Sequence, residues 1–331
     1  MMKTVTLNDT ANDWVDDILV HHRFQPFWWV RQVSTESQQA LMRHHLLQLQ
    51  QDETAVILGV YTKDTPDLTG FAAMQPLAWD TAHFGIDIWR LLYFGIWAKS
   101  ARQPEAACVL AETVKREAFR RSAQTIHVWM PLDAIQTIHA LESVGFRTME
   151  SQVYWLFDIN RQPIPPQITN ASFRPHRPDD TEALISLARR VYTPIPDRFH
   201  ADPHLPTDLC DELYASWLRN SCSGEAADYI SVIDVAGEVV GYGTLRYLND
   251  QNGQCNKRLG QFILGAIDPE HRQRGLYDDM MRSLLVWLND QQADIAIVGT
   301  QTNNIATQTG LVRMGWRPVC SALSLHLWRG R

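Results

Sequence analysis

The stretch Ala266–Leu288, "AIDPEHRQRGLYDDMMRSLLVWL", carries the end of an apolar strand through a cationic turn with one glycine into an amphipathic helix that starts near Tyr277. The first amides of such a helix have no intrahelical partner and point outward along its axis. Together with the helix dipole they form a site for a phosphate group. Gly275 removes a Cβ, so that such a group comes close to the backbone. Arg272 and Arg274 add charge and charge-assisted donors. Asp278 and Asp279 in the first turn favour the helix by about 0.3–1 kcal/mol each. They also repel an anion and push it toward Arg272–Tyr277. A solvated basic turn accounts for the same residues, and the turn alone does not choose.

Around this turn the chain alternates strands and helices. "DDTEALISLARRVY" (Asp179–Tyr192) and "LCDELYASWLRN" (Leu209–Asn220) have helical spacing, and "YISVIDVAGEVVGYGTLRYL" (Tyr229–Leu248) reads as two strands joined around Gly237. "RLGQFILGAID" (Arg258–Asp268) is the strand entering the turn. Beyond the helix come the strand "ADIAIVGT" (Ala293–Thr300), the helix "NNIATQTGLVRMG" (Asn303–Gly315) and the strand "LSLHLWR" (Leu323–Arg329). Apolar periodicity and flanking turn residues carry these assignments.

Upstream, "NRQPIPPQITNAS" (Asn160–Ser172) has three prolines and few large apolar residues, and reads as a linker. Before it, "TAVILGVYT", "GFAAMQPLAW", "TIHVWM" and "QVYWLFDI" are strands, and "EAACVLAETVKREAFRR" and "DAIQTIHALESVGF" are helices. Two endings overlay: "TIHVWMPLDAIQTIHALESVGFR" on "DIAIVGTQTNNIATQTGLVRMGWR" puts Asp133 opposite Asn303, Leu141 opposite Leu311, Gly145 opposite Gly315 and Phe146 opposite Trp316. A repeat this long indicates two copies of one α/β unit, although a glycine stop is common to many helices. The copies differ at the turn, where the first has "WAKSARQPEAACVL", without glycine. Only the second half is expected to bind a charged ligand.

The 331 residues suit two domains, with 45% hydrophobic and 20% charged residues as in a folded globular protein. A net charge of −7 argues against a nucleic-acid surface. Five scattered cysteines, none spaced C-x-x-C, give no zinc framework and suit a reducing compartment. His21, His22, His44 and His45 lack the spacing of a metal site, so no metal is expected. No apolar signal core or stretch of about 18 apolar residues is seen. The expectation is a cytoplasmic protein, away from membranes, with a small-molecule partner.

The turn and its surroundings resemble the coenzyme A loop of the GNAT acetyltransferases. In that family a strand ending Val-x-Pro leads into Arg/Gln-x-x-Gly-x-Gly/Ala. Here Ile267 and Pro269 match the strand end, and Arg272, Gln273, Arg274, Gly275 and Leu276 fill the loop, whereas Tyr277 stands where a small residue belongs. The resemblance covers Phe173–Trp328. It implies an α/β (α+β) fold of two tandem GNAT-like domains, each a central mixed twisted sheet flanked by helices. Residues 1–159 would form a degenerate amino-terminal domain, 160–172 the linker, and 173–331 the acetyltransferase domain with the acetyl-CoA site. It further implies that the pantetheine arm pairs with the strand near Ala266 and Ile267, and that Asn304 touches the cofactor. Asparagine there is equally a good helix cap. A homodimer is an arrangement the resemblance allows.

"PLAWDTAHFGIDIWRL", Pro76–Leu91, resembles the narrower dTDP-fucosamine acetyltransferase family, which acylates the amine of a dTDP-linked amino-deoxysugar. Arg198, Phe199, Tyr214 and Trp217 match its Arg-Phe segment and Tyr-x-x-Trp helix. Trp79, Phe84 and Trp89 read first as core, and alternatively, with Asp80, as part of an acceptor pocket. The alternatives to a nucleotide-sugar acceptor are another small amine, such as an amino acid or polyamine, and a CoA-binding module without catalysis.

Aminolysis of a thioester needs a neutral amine, alignment of the reactants and help for the leaving thiolate. Alignment contributes about 7–11 kcal/mol in favourable cases, a strand amide polarises the carbonyl, and a general acid adds about 10²–10⁴-fold. The resemblance places the family's acidic tyrosine at Leu311, which has no proton to give. The thiolate leaves unaided, Tyr242, Tyr247 or water substitutes, or catalysis is lost. No catalytic residue is assigned from the sequence.

Overall fold

A computed structural model describes residues 2–8, 10–62, 67–192, 197–248 and 253–330. Met1 and Asp9 of the amino-terminal stretch, and Arg331 at the end of the second domain range, lie outside the described residues. In chain order the elements are β1 (Met2–Thr6), α1 (Asp13–His21), α2 (Thr35–Gln51), β2 (Val56–Thr62), β3 (Leu68–Pro76), α3 (Ala78–Phe84), β4 (Ile88–Ile96), α4 (Gln103–Arg120), β5 (Thr125–Pro131), α5 (Ile135–Ser143) and β6 (Arg147–Asp158). They continue with β7 (Ser172–Pro175), α6 (Thr181–Tyr192), α7 (Thr207–Cys222), β8 (Tyr229–Val235), β9 (Glu238–Tyr247), β10 (Leu259–Ile267), α8 (Leu276–Asp290), β11 (Ile295–Gln301), α9 (Ile305–Arg313) and β12 (Arg317–Trp328).

The chain forms two compact units, Met1–Ser151 with Ser321–Arg331, and Gln152–Cys320. Each holds a mixed sheet flanked by helices, ordered β1-β2-β3-β4-β5-β12 in the first and β6-β11-β10-β9-β8-β7 in the second. The first unit thus takes its last strand from the carboxyl terminus, where Ala322–Trp328 pair antiparallel with β5. The second takes a strand from the end of the first half, where Gln152–Asp158 pair with β11. The unit boundaries fall inside β6 and β12 rather than in the proline-rich segment at 160–172.

Helical faces are set by apolar spacing. On α8 the buried side chains are Leu276, Met280, Met281, Leu284, Leu285 and Leu288, and fully burying each leucine stabilises by about 1.5–3 kcal/mol. On α6 the buried stripe is Leu184, Ile185, Leu187, Ala188, Val191 and Tyr192. Among the described residues, no helix is long and apolar enough to cross a membrane.

The repeat is visible at the level of single hydrogen bonds. Phe146 N–H donates to the Leu141 carbonyl at 3.1 Å, and Trp316 N–H to the Leu311 carbonyl at 3.0 Å. Gly145 (φ 107°) and Gly315 (φ 87°) turn the chain just beyond the two helices, as left-handed helix stops do. Both units also contain a pair of parallel strands that part company. β4 pairs with β5 only from Ile88 to Leu91, and β10 with β11 only from Leu259 to Phe262. Each departing strand carries a register break at that level, between Ala73 and Met74 opposite β4 and between Phe262 and Gly265 on β10.

Candidate functional site

Beyond Phe262, β10 runs on to Ile267 without a parallel partner, which opens a wedge toward the end of β11. Backbone groups alternate sides along a strand. Asp268 N–H donates to the Val240 carbonyl of β9, so Ala266 directs its amide and carbonyl the same way, while Gly265 and Ile267 direct theirs toward the wedge. The Gly265 groups meet the Tyr192 hydroxyl, which donates to its carbonyl at 2.8 Å and accepts from its amide at 3.1 Å. The Ile267 carbonyl accepts from Arg272 Nε at 3.2 Å. Of the expected pantetheine-pairing residues, Ile267 faces the wedge and Ala266 faces β9; Gly265 was not anticipated.

The loop after β10 opens with a short 3₁₀ turn over Pro269–His271, capped by Asp268, whose side chain accepts from Glu270 N–H. The Arg190 guanidinium at 2.6 Å holds the Asp268 carboxyl below the usual carboxylate range. Gln273 (φ 61°) and Gly275 (φ 82°) are both left-handed, and Gly275 is the residue before α8. Asp279 N–H makes the first bond of the helix, to the Gly275 carbonyl at 3.2 Å. The amides of residues 273–278 therefore donate to no group among the described residues. The outward row of donors expected from the sequence is present.

Its electrostatics are more favourable to an anion than the sequence suggested. Asp278 is held by Arg313 through two bonds of 2.9 and 3.0 Å. Asp279 is buried and accepts from the Ile168 and Thr169 amides at 2.9 and 2.8 Å. Both acids of the first turn are thus engaged away from the loop. Arg272 and Arg274 are exposed and bond only backbone carbonyls, of Ile267 and Glu270, with no carboxylate partner among the described residues. A Cβ on Gly275 would lie 2.9 Å from Ile168 Cδ1, so this glycine makes room for the segment Asn160–Ser172 as well as for the left-handed turn. That segment lies on the second unit, with Arg282 Nε donating to the Pro165 carbonyl at 3.1 Å.

Asn304 caps α9, accepting from Thr307 N–H at 3.3 Å and donating to Thr300 Oγ1 at 3.2 Å. Leu276 is buried, and Tyr277 packs its ring against Gly310. Burial pushes the Tyr277 phenol above its usual range. Leu311 is wholly buried among Met314, Trp316 and their neighbours, in the core rather than at a surface. Of the suggested substitutes, Tyr242 is fully buried in the core cluster with Val232, Leu264 and Ala266, and burial raises its phenol far above the ordinary value. Tyr247 pairs with Gly260, at the end of β10 remote from the wedge.

On the α6–α7 side of the same unit, Tyr192 stacks on Tyr214 with centroids 4.2 Å apart, and Tyr214 on Trp217. Arg198 lies over the buried Phe199 ring at 4.3 Å. In the first unit the equivalent wedge is lined by Leu92, Tyr93, Phe94, Trp129, Met130 and Pro131, under a roof that includes Phe24, Phe27 and Trp28, around a cavity of about 170 Å³. The helix that follows its strand starts with a proline and without a glycine loop. Phe84 and Trp89 are core, whereas Trp79 stacks on His83 at the surface. His22 is a core residue, its ring against Phe71 and its Nε2 3.1 Å from the Phe24 carbonyl. His45 contacts the Tyr93 hydroxyl at 2.8 Å.

The sequence and the fold both have known relatives. Residues 171–317 match the family model described as an acetyltransferase (GNAT) domain. The spore coat polysaccharide biosynthesis protein SpsD of Bacillus subtilis is 27% identical over 211 residues, covering 62% of this chain and 67% of that protein. Among solved structures, a tandem GNAT protein from the clavulanic acid biosynthesis pathway aligns over 100% of this chain and 99% of its own, at 10% identity and a TM-score of 0.56. A GCN5-related glucosamine N-acetyltransferase region in a fungal β-N-acetylglucosaminidase aligns over 99% of this chain at 14% identity and a TM-score of 0.64, and this chain spans 38% of that longer one. The fold is that of the tandem acetyltransferases. Residues 171–317 carry a GNAT acetyltransferase domain by that match, and they lie within the second unit.

Proposed function

We propose that the second unit transfers an acetyl group from acetyl-CoA to the primary amine of a nucleotide-linked amino-deoxysugar, of the dTDP-linked kind. The observation that carries the cosubstrate is the continuity between the unpartnered amides of residues 273–278 and the wedge-facing backbone of Gly265 and Ile267. The diphosphate sits on the loop amides with Arg272 and Arg274 beside it, Leu276 and Tyr277 close the start of the helix, and Gln273 lends its left-handed backbone. The pantetheine arm follows Ile267, and the thioester carbonyl takes the Gly265 amide. Such an aligned donor polarises the carbonyl where charge develops.

The sugar acceptor is supported by the similarity to a polysaccharide biosynthesis protein and by the segments Pro76–Leu91 and Asp197–Leu218. The burial of Leu311 in the core favours, as a second reading, a CoA-binding module without turnover. Calorimetric titration with acetyl-CoA, followed by thiol release assayed with dTDP-amino-deoxysugars, free amino acids and polyamines, decides among these. Release with the amino-sugar nucleotide alone is expected. Release with an amino acid or polyamine instead reassigns the acceptor, and binding without release to any amine leaves the module.

A further inference from the structure

Tyr192 ends α6, yet its hydroxyl lies 73 residues further along the chain, on the backbone of Gly265. At this point β10 has broken register with β9 and lost β11, so the Gly265 amide and carbonyl have no strand partner. One phenol answers both, as donor at 2.8 Å and acceptor at 3.1 Å. The ring is fixed from behind by Tyr214, stacked at 12°, and lies in a buried cluster with Tyr242, Leu264 and Ala266. Met280 of α8 covers the other side of Gly265, 2.8 Å from where a Cβ would stand. The hydroxyl is therefore the side-chain proton donor held on the backbone pair that, in the function proposed above, receives the thioester.

Resting on that reading, we propose that Tyr192 is a catalytic residue whose hydroxyl, released from the Gly265 amide when the thioester carbonyl takes its place, gives its proton to the departing sulfur. The amine nitrogen forms a bond to the carbonyl carbon, and the C–S bond breaks with its electron pair on sulfur. The phenol proton passes to that sulfur, and the proton shed by the nitrogen returns to the phenolate. Acyl thioester and amine become amide and thiol, with Tyr192 restored. Burial pushes the phenol up to about 12, so the proton is in place at neutral pH. This supplies what Leu311 lacks.

The test uses the full chain with Tyr192→Phe, and Tyr229→Phe as a control that removes a hydroxyl from a ring stacked on Trp287 elsewhere in the same unit. For Tyr192→Phe, acetyl-CoA affinity by calorimetry should stay within a few-fold and kcat with the best amine should fall by about 10²–10⁴-fold. With an S-acetyl aryl thioester, whose thiolate leaves without a proton, the loss should shrink below tenfold. Tyr229→Phe should retain kcat. Equal losses with both donors, or unchanged kcat, would overturn the proposal by reducing Tyr192 to a prop for the strand. If Tyr192→Phe does not fold, a fluorinated tyrosine at 192 keeps ring and hydroxyl but ionises earlier. The other titratable groups facing it are the phenols of Tyr214 on α7, Tyr242 on β9 and Tyr277 on α8. Activity should then be lost at lower pH than in the wild type, and an unchanged profile overturns the idea. Absence of acetyl-CoA binding by the wild type is a different result: it removes the proposed function itself.

Discussion

The ring of Tyr277 rests on Gly310: a Cβ placed on Gly310 would lie 2.9 Å from both Cδ1 and Cε1 of that ring. This contact, with the Asp278–Arg313 ion pair, ties the start of α8 to α9. It also explains the largest local departure in the loop. The bulk that Tyr277 adds, where the resemblance expects a small residue, is matched by a missing side chain on the neighbouring helix.

Gly310→Ala should therefore destabilise, even though alanine is the better helix former by about 1 kcal/mol. Overpacking against the ring and Asp278 costs about 1–3 kcal/mol. Urea denaturation should show a net loss that largely disappears in the Tyr277→Ala background, because the two sites touch and their effects do not add.

Asp279 is the clamp between α8 and the proline-rich segment. Asp279→Ala removes a buried carboxylate and leaves the Ile168 and Thr169 amides without their charged acceptor. Hydrogen bonds to charged groups are worth about 1.5–3 kcal/mol each, so a loss of roughly 3 kcal/mol is expected in chemical denaturation. Protease cleavage within residues 160–172 should accelerate in step.

Gly275→Ala confronts a left-handed φ and the Ile168 side chain at once. The expected outcome is a loss of about 1–2 kcal/mol in stability and at least tenfold weaker acetyl-CoA binding by calorimetry. Arg272→Ala should weaken binding without changing the melting temperature by more than a degree or two, since its side chain is exposed. Undiminished affinity in both variants would show that the diphosphate does not lie on this loop.

His22 supplies a pH dependence. Burial lowers its pKa from 6.5 to about 4, so the folded chain resists a proton that the unfolded chain accepts. Above pH 6.5 neither state is charged there and nothing is lost. Between pH 6.5 and about 4 the unfolded state gains the proton first, and stability should fall by roughly 3 kcal/mol. Below that window both states are protonated and this contribution levels off. His22→Gln should lose the dependence, as measured by urea denaturation at pH 7 and pH 4.5.

Much was legible without coordinates because it is local. The 3.6-residue spacing of α8, the strand that precedes it and the two glycine stops at Gly145 and Gly315 depend on neighbours a few residues apart. Strand β4 and helices α1 and α2 were not assigned from the pattern. α2 is polar over most of its length, so its weak apolar stripe does not announce a helix. Asn304 caps α9, as its residue type predicts.

The chain alone thus determined the matching helix stops and the amide-rich loop, since each follows from side-chain types and short-range backbone geometry, whereas the missing acid at Leu311 is what the family resemblance implies. Tertiary structure decided the exchange of β6 and β12, the parting of β10 from β11, and the arrival of Tyr192 at Gly265. Those depend on hydrogen bonds between strands distant in sequence, and a slip of one residue in register would turn the Gly265 amide from the wedge to β9.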